Sequence, residues 1–193
     1  MIKSAGLLIL NLAISQLAFA QPGDHLVFEG SKGPGKGKHI VFLAGDEEYR
    51  SEESMPMMAQ VMSKHGFKCT VLFSMDSDGK FVNPNNQKSL SNAKALDSAD
   101  AIVMALRFRK WEDAAMEKFH AAFERGTPIV ALRTSTHAFN FAPDSKWAKY
   151  SWNSNPQSGW EKGFGREVLG ETWVNHHGKH KVEGTRGIIE EGN

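Results

Sequence analysis

Three short apolar segments of this chain each end in a cluster of charged or hydroxyl-bearing residues. The segments are residues 39–45, 101–106 and 128–132, and the clusters that follow them are residues 46–50, 107–109 and 133–137. Continuous apolar segments that are rich in β-branched residues and alternate with helical patterns are typical of parallel strands buried on both faces. In an open parallel sheet, ligands bind beyond the carboxyl ends of the strands. The sequence therefore predicts a ligand site where the three clusters meet.

Strand and helix patterns alternate along much of the chain. We expect strands at residues 39–45, 67–74, 100–106 and 127–132, and helices at about 52–65, 90–97 and 111–125. This order predicts an α/β fold with a flavodoxin-like, doubly wound parallel sheet and right-handed crossovers. The first, third and fourth of these strands are neighbours in such a sheet, so the clusters that follow them converge.

Apolar residues at helical spacing indicate which faces of two helices are buried. They are Met55, Met58, Val61 and Met62 in the first helix and Ala115, Phe119 and Phe123 in the last. Gly66 and Gly126 stand where a glycine commonly ends a helix. The single cysteine, Cys69, lies in an alternating strand pattern and is expected to be a small buried hydrophobe.

Residues 1–20 carry the pattern of a secretory signal peptide. Lys3 precedes a mostly apolar stretch, and the small-x-small sequence of residues 18–20 is typical of a cleavage site near Ala20. The apolar stretch is too short and too often interrupted to span a bilayer. We therefore expect a periplasmic or secreted protein with no stable membrane insertion.

Composition limits the domain count and the class of partner. The chain of 193 residues is long enough for one domain of ordinary size. Its formal net charge of +1 gives no basis for nucleic-acid binding. We interpret residues 21–38, rich in glycine and lysine, as a flexible lead-in and residues 39–193 as the α/β domain. A homo-oligomer is left open.

The pattern is weaker beyond residue 137. Residues 138–165 are aromatic and polar with little periodicity, and residues 187–190 have the pattern of a strand with no closing element after it. We therefore expect the domain to be truncated at its carboxyl end.

The polar clusters contain the candidate catalytic and substrate-binding side chains. Carboxylates and imidazoles can transfer protons or bind hydroxyl groups, and guanidinium groups suit carboxylates or hydroxyl-rich ligands. The candidates for acid/base catalysis are Asp46, Glu47 and His137. The candidates for substrate binding are Glu48, Tyr49, Arg50, Arg107, Arg109, Arg133, Thr134 and Thr136. The alternative interpretation is a network of salt bridges that orders the loops.

Three histidines, His176, His177 and His180, form a second group. Imidazoles bind divalent metals such as Zn well, and Asp46 or Glu47 could complete such a site. Gly178 lies between them and favours a loop over a helix. Hydrogen bonding to substrate and a purely structural role are the alternatives.

Three motifs, at residues 44–53, 132–139 and 174–180, carry a family resemblance. They read AGDEEYRSEE, LRTSTHAF and VNHHGKH. Together they resemble the ThuA-like (trehalose utilisation) family of the class I glutamine amidotransferase-like superfamily, over residues 39–185. The superfamily's amidotransferases have a nucleophilic cysteine where this chain has Arg133, so the resemblance does not imply glutamine amidotransferase activity. It implies a role in handling trehalose-like disaccharides or their keto derivatives.

The leading hypothesis is an exported protein that acts on or binds a small carbohydrate. Proton transfer beside a sugar carbonyl would suit isomerisation or elimination of a keto sugar. The rival hypotheses are a non-catalytic sugar-binding module, a metal-dependent hydrolase and an interaction domain of a larger enzyme.

Overall fold

The computed structural model describes residues 24–179, 182–184, 186–190 and 192. The chain forms an α/β fold, a five-stranded mixed sheet with helices packed against it. The signal peptide predicted at residues 1–20 lies outside the described residues. Within the described part of the chain, no helix has the length and apolar character needed to cross a membrane.

The sheet has the order β1-β3-β2-β4-β5, in which β2 is central and buried along its whole length. Its strands are β1 (His25–Phe28), β2 (His39–Gly45), β3 (Lys68–Phe73), β4 (Ala101–Leu106) and β5 (Ile129–Ala131). All neighbouring pairs are parallel except β1 and β3. The order of the four parallel strands is compatible with a flavodoxin-like fold, and it places β2, β4 and β5 side by side as predicted.

Two expectations are wrong for residues 25–28: that residues 21–38 form a flexible lead-in, and that the sheet is all parallel. Residues 25–28 pair antiparallel with β3 and cover an edge that would otherwise be unpaired. The glycines that follow allow close backbone packing instead of flexibility. A Cβ atom on Gly33 would lie 2.3 Å from the carbonyl oxygen of His65.

Three α-helices connect or flank the strands: α1 (Ser51–Lys64), α2 (Asp113–Glu124) and α3 (Gly163–Leu169). The helix expected at about residues 90–97 is a 3-10 helix at Ala93–Ser98. The first two helices end as predicted, because the amides of Gly66 and Gly126, both at positive φ, donate to carbonyls of the preceding turn.

The buried face of α1 differs from the predicted one. Met55 and Ala59 are buried, and Met62 packs beside them. Met58 and Val61 are 37% and 54% exposed, so the prediction is wrong for these two residues. The helix rests on the small side chain of Ala59, which lies about 100° around the helix axis from Met58. This rotation turns Met58 and Val61 toward solvent.

The predictions for α2 and β3 are confirmed. Ala115 and Phe119 are buried, and Phe123 packs against the same core. Cys69 is fully buried in β3, and desolvation raises the pKa of its thiol to about 11.

The aromatic segment after the last strand folds back onto α2. Rings of Phe139, Tyr150 and Phe164 lie 5.3–6.4 Å from the ring of Phe119. This packing fixes residues 133–164 on the sheet. The strand predicted at residues 187–190 is not formed: these residues have no strand partner among the described residues, and Ile188 and Ile189 are 86% and 89% exposed.

Candidate functional site

The three polar clusters meet at one rim of the sheet. Backbone bonds join them, because the amide of Arg107 donates to Gly45 (2.9 Å) and the amide of Phe108 to His137 (2.9 Å). Side chains join them too: Arg107 binds Glu47 and Glu48, Thr134 binds Asp46, and Arg133 binds Tyr49. The convergence expected from the sequence is therefore present.

Asp46 is buried beneath this rim, with 1% of its surface exposed. Its Oδ1 accepts hydrogen bonds from the amides of Glu48 (2.9 Å) and Tyr49 (3.2 Å), and its Oδ2 accepts one from the hydroxyl of Thr134. The carboxylate thereby closes the turn between β2 and α1. Asp46 does not line the cavity described below, so its predicted catalytic role is not supported by its position.

Glu47 is also bonded internally. Its two oxygens bind Arg107 and Arg109, the second through Nη2 at 2.7 Å. Arg109 is fully buried, and it also donates to the carbonyls of Arg107 (2.6 Å) and Pro84 (2.9 Å). Burial lowers the pKa of Arg109, and the charges of Glu47 and Asp46 act in the opposite direction. Because Glu47 and Arg109 bind each other, their positions do not support the predicted roles of Glu47 in catalysis and Arg109 in substrate binding.

Arg50 faces away from the rim. It occupies the left-handed position before α1 (φ 52°) and its guanidinium binds Glu53 on the surface of the helix. Its predicted role in substrate binding is therefore not supported by its position.

A cavity of about 620 Å³ opens above the rim. Most of the lining residues have polar side chains, and Tyr49 and Trp173 also contribute aromatic rings. The lining residues are Glu48, Tyr49, Arg107, Arg133, Thr134, Thr136, His137, Trp173, Asn175, His176, His177, Lys179 and Glu183. Seven of the predicted catalytic and substrate-binding residues are among them: Glu48, Tyr49, Arg107, Arg133, Thr134, Thr136 and His137.

Arg133 lies at the edge of the cavity, where its guanidinium group contacts Tyr49. It directly follows Leu132 at the end of the β5 segment, with a left-handed backbone (φ 48°) that is rare for a residue with a side chain. Its Nη2 donates to the hydroxyl of Tyr49 at 2.7 Å, and its guanidinium carbon lies 4.6 Å from the centre of the Tyr49 ring. The tyrosine therefore fixes the direction of the guanidinium group.

His137 borders the cavity between two aromatic rings. Its ring centre lies 4.9 Å from that of Phe108 and 4.8 Å from that of Trp173. Desolvation, reinforced by the charge of Arg107, lowers the pKa of His137 to about 4. Nδ1 pairs with the hydroxyl of Thr136 at 3.2 Å, and Nε2 has no hydrogen-bond partner among the residues that the structure describes. The lowered pKa keeps the imidazole neutral at neutral pH, with a nitrogen lone pair available to a ligand, and makes it a weaker base than a free imidazole.

Four residues of the cavity wall were not among the candidates from the sequence: Trp173, Asn175, Lys179 and Glu183. They belong to the irregular segment that carries the histidines. Trp173 packs edge-on against Trp152 at 4.9 Å and against Phe108 at 5.7 Å, which anchors this segment over the rim. These residues are close to His176 and His177 in the sequence, and that proximity could have identified them as candidates.

The histidine group is only partly described. His176 and His177 line the cavity, and His180 lies outside the described residues. Among the residues that are described, no three His, Cys, Asp or Glu side chains are grouped so that they could hold a metal ion. Asp46 and Glu47, the carboxylates expected to complete a Zn site, are bonded elsewhere. The metal site thus stays a prediction from the sequence.

No protein-family model, no curated protein and no solved structure matches the chain.

Proposed function

We propose that this chain binds a small carbohydrate in the cavity above β2, β4 and β5. The observation that carries the proposal is the composition of that cavity: hydroxyl, amide, imidazole and guanidinium groups face a wall that includes Trp173 and Tyr49. Sugars need both kinds of surface, since their hydroxyl groups exchange hydrogen bonds while their C–H faces pack on aromatic rings. The volume of about 620 Å³ lies within the usual range for small-molecule sites.

The resemblance to the ThuA-like family supports the same ligand class. It favours trehalose-like disaccharides or their keto derivatives as ligands, and a flavodoxin-like, class I glutamine amidotransferase-like fold. The position of Arg133 also fits, since an arginine in the place of a nucleophilic cysteine is consistent with ligand binding and not with amidotransferase chemistry. The pattern of residues 1–20 supports export as part of this proposal.

We further propose that His137 transfers a proton on a bound keto sugar. Its neutral imidazole would take the proton from the hydroxyl-bearing carbon next to the carbonyl, leaving the electron pair in an enediolate. The hydroxyl proton would then pass between the enediolate oxygens. The imidazolium would return its proton to the former carbonyl carbon, so the carbonyl moves by one carbon with no net change in atoms.

A second candidate function is sugar binding without catalysis. Both carboxylates expected to act as acid or base, Asp46 and Glu47, are occupied by internal bonds. His137 is thus the one member of the predicted catalytic group that lines the cavity. The two functions differ in whether a bound keto sugar exchanges a proton.

Calorimetric titration with trehalose and with 3-keto-trehalose tests binding, and NMR in D₂O tests proton transfer. We expect saturable binding of at least one of the two sugars, and deuterium incorporation next to the carbonyl of the keto sugar. His137→Gln should abolish the exchange and retain binding, whereas His120→Gln, a matched change at a histidine bonded to Tyr150 away from the cavity, should retain both. Binding without exchange would select the non-catalytic function. Absence of binding by both sugars, and by the sugar acid tested below, would overturn the proposal.

A further inference from the structure

Arg133 differs from the other arginines of the three clusters in its partners. Arg107 and Arg109 bind Glu47, and Arg50 binds Glu53. Arg133 forms no ion pair with any carboxylate of the described residues, and its protein partner is the neutral side chain of Tyr49. One guanidinium group at the cavity, exposed to solvent, therefore has no carboxylate partner among the described residues.

The backbone conformation of Arg133 favours a role for its side chain in ligand binding. A left-handed backbone costs a residue with a side chain on the order of 1 kcal/mol or more, and such conformations cluster at ligand sites. The Tyr49 hydroxyl occupies only Nη2, so the N–H groups of Nε and Nη1 have no protein acceptor among the described residues. Together these two nitrogens form an edge that can bind two oxygens of one planar anion.

A second cation lines the same cavity. The ammonium group of Lys179 has no ion pair among the described residues. The nearby Glu183 accepts a hydrogen bond from the backbone amide of Lys179 (3.1 Å). The other carboxylate of the lining, Glu48, pairs with Arg107 at 3.0 Å. With His137 neutral, the five charged groups of the lining, Arg107, Arg133, Lys179, Glu48 and Glu183, leave a surplus of one positive charge.

We infer that Arg133 binds the carboxylate of a sugar acid, so that the preferred ligand of the cavity is a uronate or aldonate and not a neutral sugar. This inference rests on the proposed carbohydrate function and narrows its ligand class. A carboxylate matches the planar edge of the guanidinium group in shape, and its single negative charge matches the surplus charge of the lining.

Titrations of the purified chain at pH 7 with glucose, glucuronate and glucose 6-phosphate test this inference. We expect glucuronate to bind at least tenfold more tightly than glucose. Arg133→Met should remove this difference. Arg50→Met is the matched control, because it also replaces an arginine at positive φ, and it should keep the preference. A thermal unfolding curve for each variant establishes that it is folded.

The outcomes separate the inference from the function on which it rests. Equal binding of glucose and glucuronate would overturn the inference and leave the carbohydrate function standing. Tighter binding of glucose 6-phosphate than of glucuronate would overturn the assignment of the anion to a carboxylate. If no sugar of either kind binds, including the disaccharides tested above, the proposed function falls and the inference falls with it.

Discussion

The carboxylate of Glu47 lies 2.7 Å from Nη2 of Arg109, whose side chain is fully buried. The same carboxylate binds Arg107, so one acidic side chain bridges two guanidinium groups. Arg109 in turn donates to carbonyls of the loop around Pro84. The pair thus ties the end of β2 to the residues after β4 and to that loop.

Removing Glu47 should destabilise the fold strongly. Glu47→Ala leaves a buried guanidinium without its counter-ion, and breaking a buried ion pair in this way costs about 3 kcal/mol or more. Urea unfolding followed by circular dichroism measures this change in the free energy of unfolding. Glu53→Ala, which breaks the exposed pair with Arg50, should cost less than about 1 kcal/mol. Equal losses for the two variants would contradict the structural role of Glu47.

Asp46 should behave as a turn-forming residue and not as a catalytic acid or base. Asp46→Ala removes the acceptor of the Glu48 and Tyr49 amides and should cost about 2 kcal/mol, since buried donors are left unsatisfied. Asp46→Asn keeps one acceptor oxygen for these amides, and its amide group can donate to the Thr134 hydroxyl. We expect it to lose less than half as much stability and to keep sugar affinity within about twofold. A folded Asp46→Asn protein that no longer binds sugar would contradict this assignment.

The sequence was sufficient to predict the rim but not the partners within it. Apolar segments before each cluster fix strand ends, and strand order follows from the alternation with helices, so convergence was predictable. The use of Asp46 and Glu47 was not, because their partners Thr134 and Arg109 are 88 and 62 residues away along the chain. Charge and spacing alone do not distinguish a carboxylate that faces a ligand from one that binds a buried arginine.

A similar limit applies to the termini of the fold. Glycine-rich composition suggested flexibility before β2, yet small residues there serve the close approach of Gly33 to His65. The apolar pair Ile188 and Ile189 suggested a strand, but a strand requires a neighbour to bond with, and neither residue has one in the part of the chain that the structure describes. Both errors arise because pairing between distant segments, present in one case and not found in the other, cannot be read from local composition.

His137 should make stability depend on pH in a defined window. Its pKa is lowered to about 4 in the folded chain, against about 6.5 when unfolded. The unfolded chain therefore takes up the proton first as the pH falls, so the stability present above pH 6.5 is lost progressively between pH 6.5 and pH 4. The loss from this residue should be about 2 kcal/mol, less than the full linkage value because the ring borders the water of the cavity.

Urea unfolding at several pH values, compared between the native chain and His137→Gln, isolates this contribution. His39 has a lowered pKa as well and adds a loss of the same sign, but it is present in both proteins. As the pH falls to 4.5, the free energy of unfolding of the native chain should decrease relative to that of His137→Gln. Parallel curves would show that His137 is not desolvated.

Trp173 should control both sugar affinity and the protonation of His137. Its ring covers the imidazole at 4.8 Å and forms part of the cavity wall. Trp173→Ala admits water to the imidazole, so the pKa of His137 should rise toward its ordinary value, and sugar affinity should fall about tenfold through the loss of an aromatic surface. NMR titration of the imidazole protons and calorimetry measure the two effects. Trp173→Phe keeps an aromatic ring and should keep most of both properties.

The contact between α3 and the Arg133–His137 segment should be sensitive to a single methyl group. A Cβ atom at Gly165 would lie 2.0 Å from the carbonyl oxygen of Thr136 and 2.9 Å from that of Glu171. Both neighbours are backbone atoms, so Gly165→Ala must move α3 away from the segment that carries His137. We expect a loss of about 1–3 kcal/mol in the free energy of unfolding, as for other overpacked sites, together with weaker sugar binding. Gly184→Ala adds the same methyl group in open space at an exposed position and should change neither quantity. If Gly165→Ala binds sugar as tightly as the native chain, the position of this segment does not depend on its packing against α3.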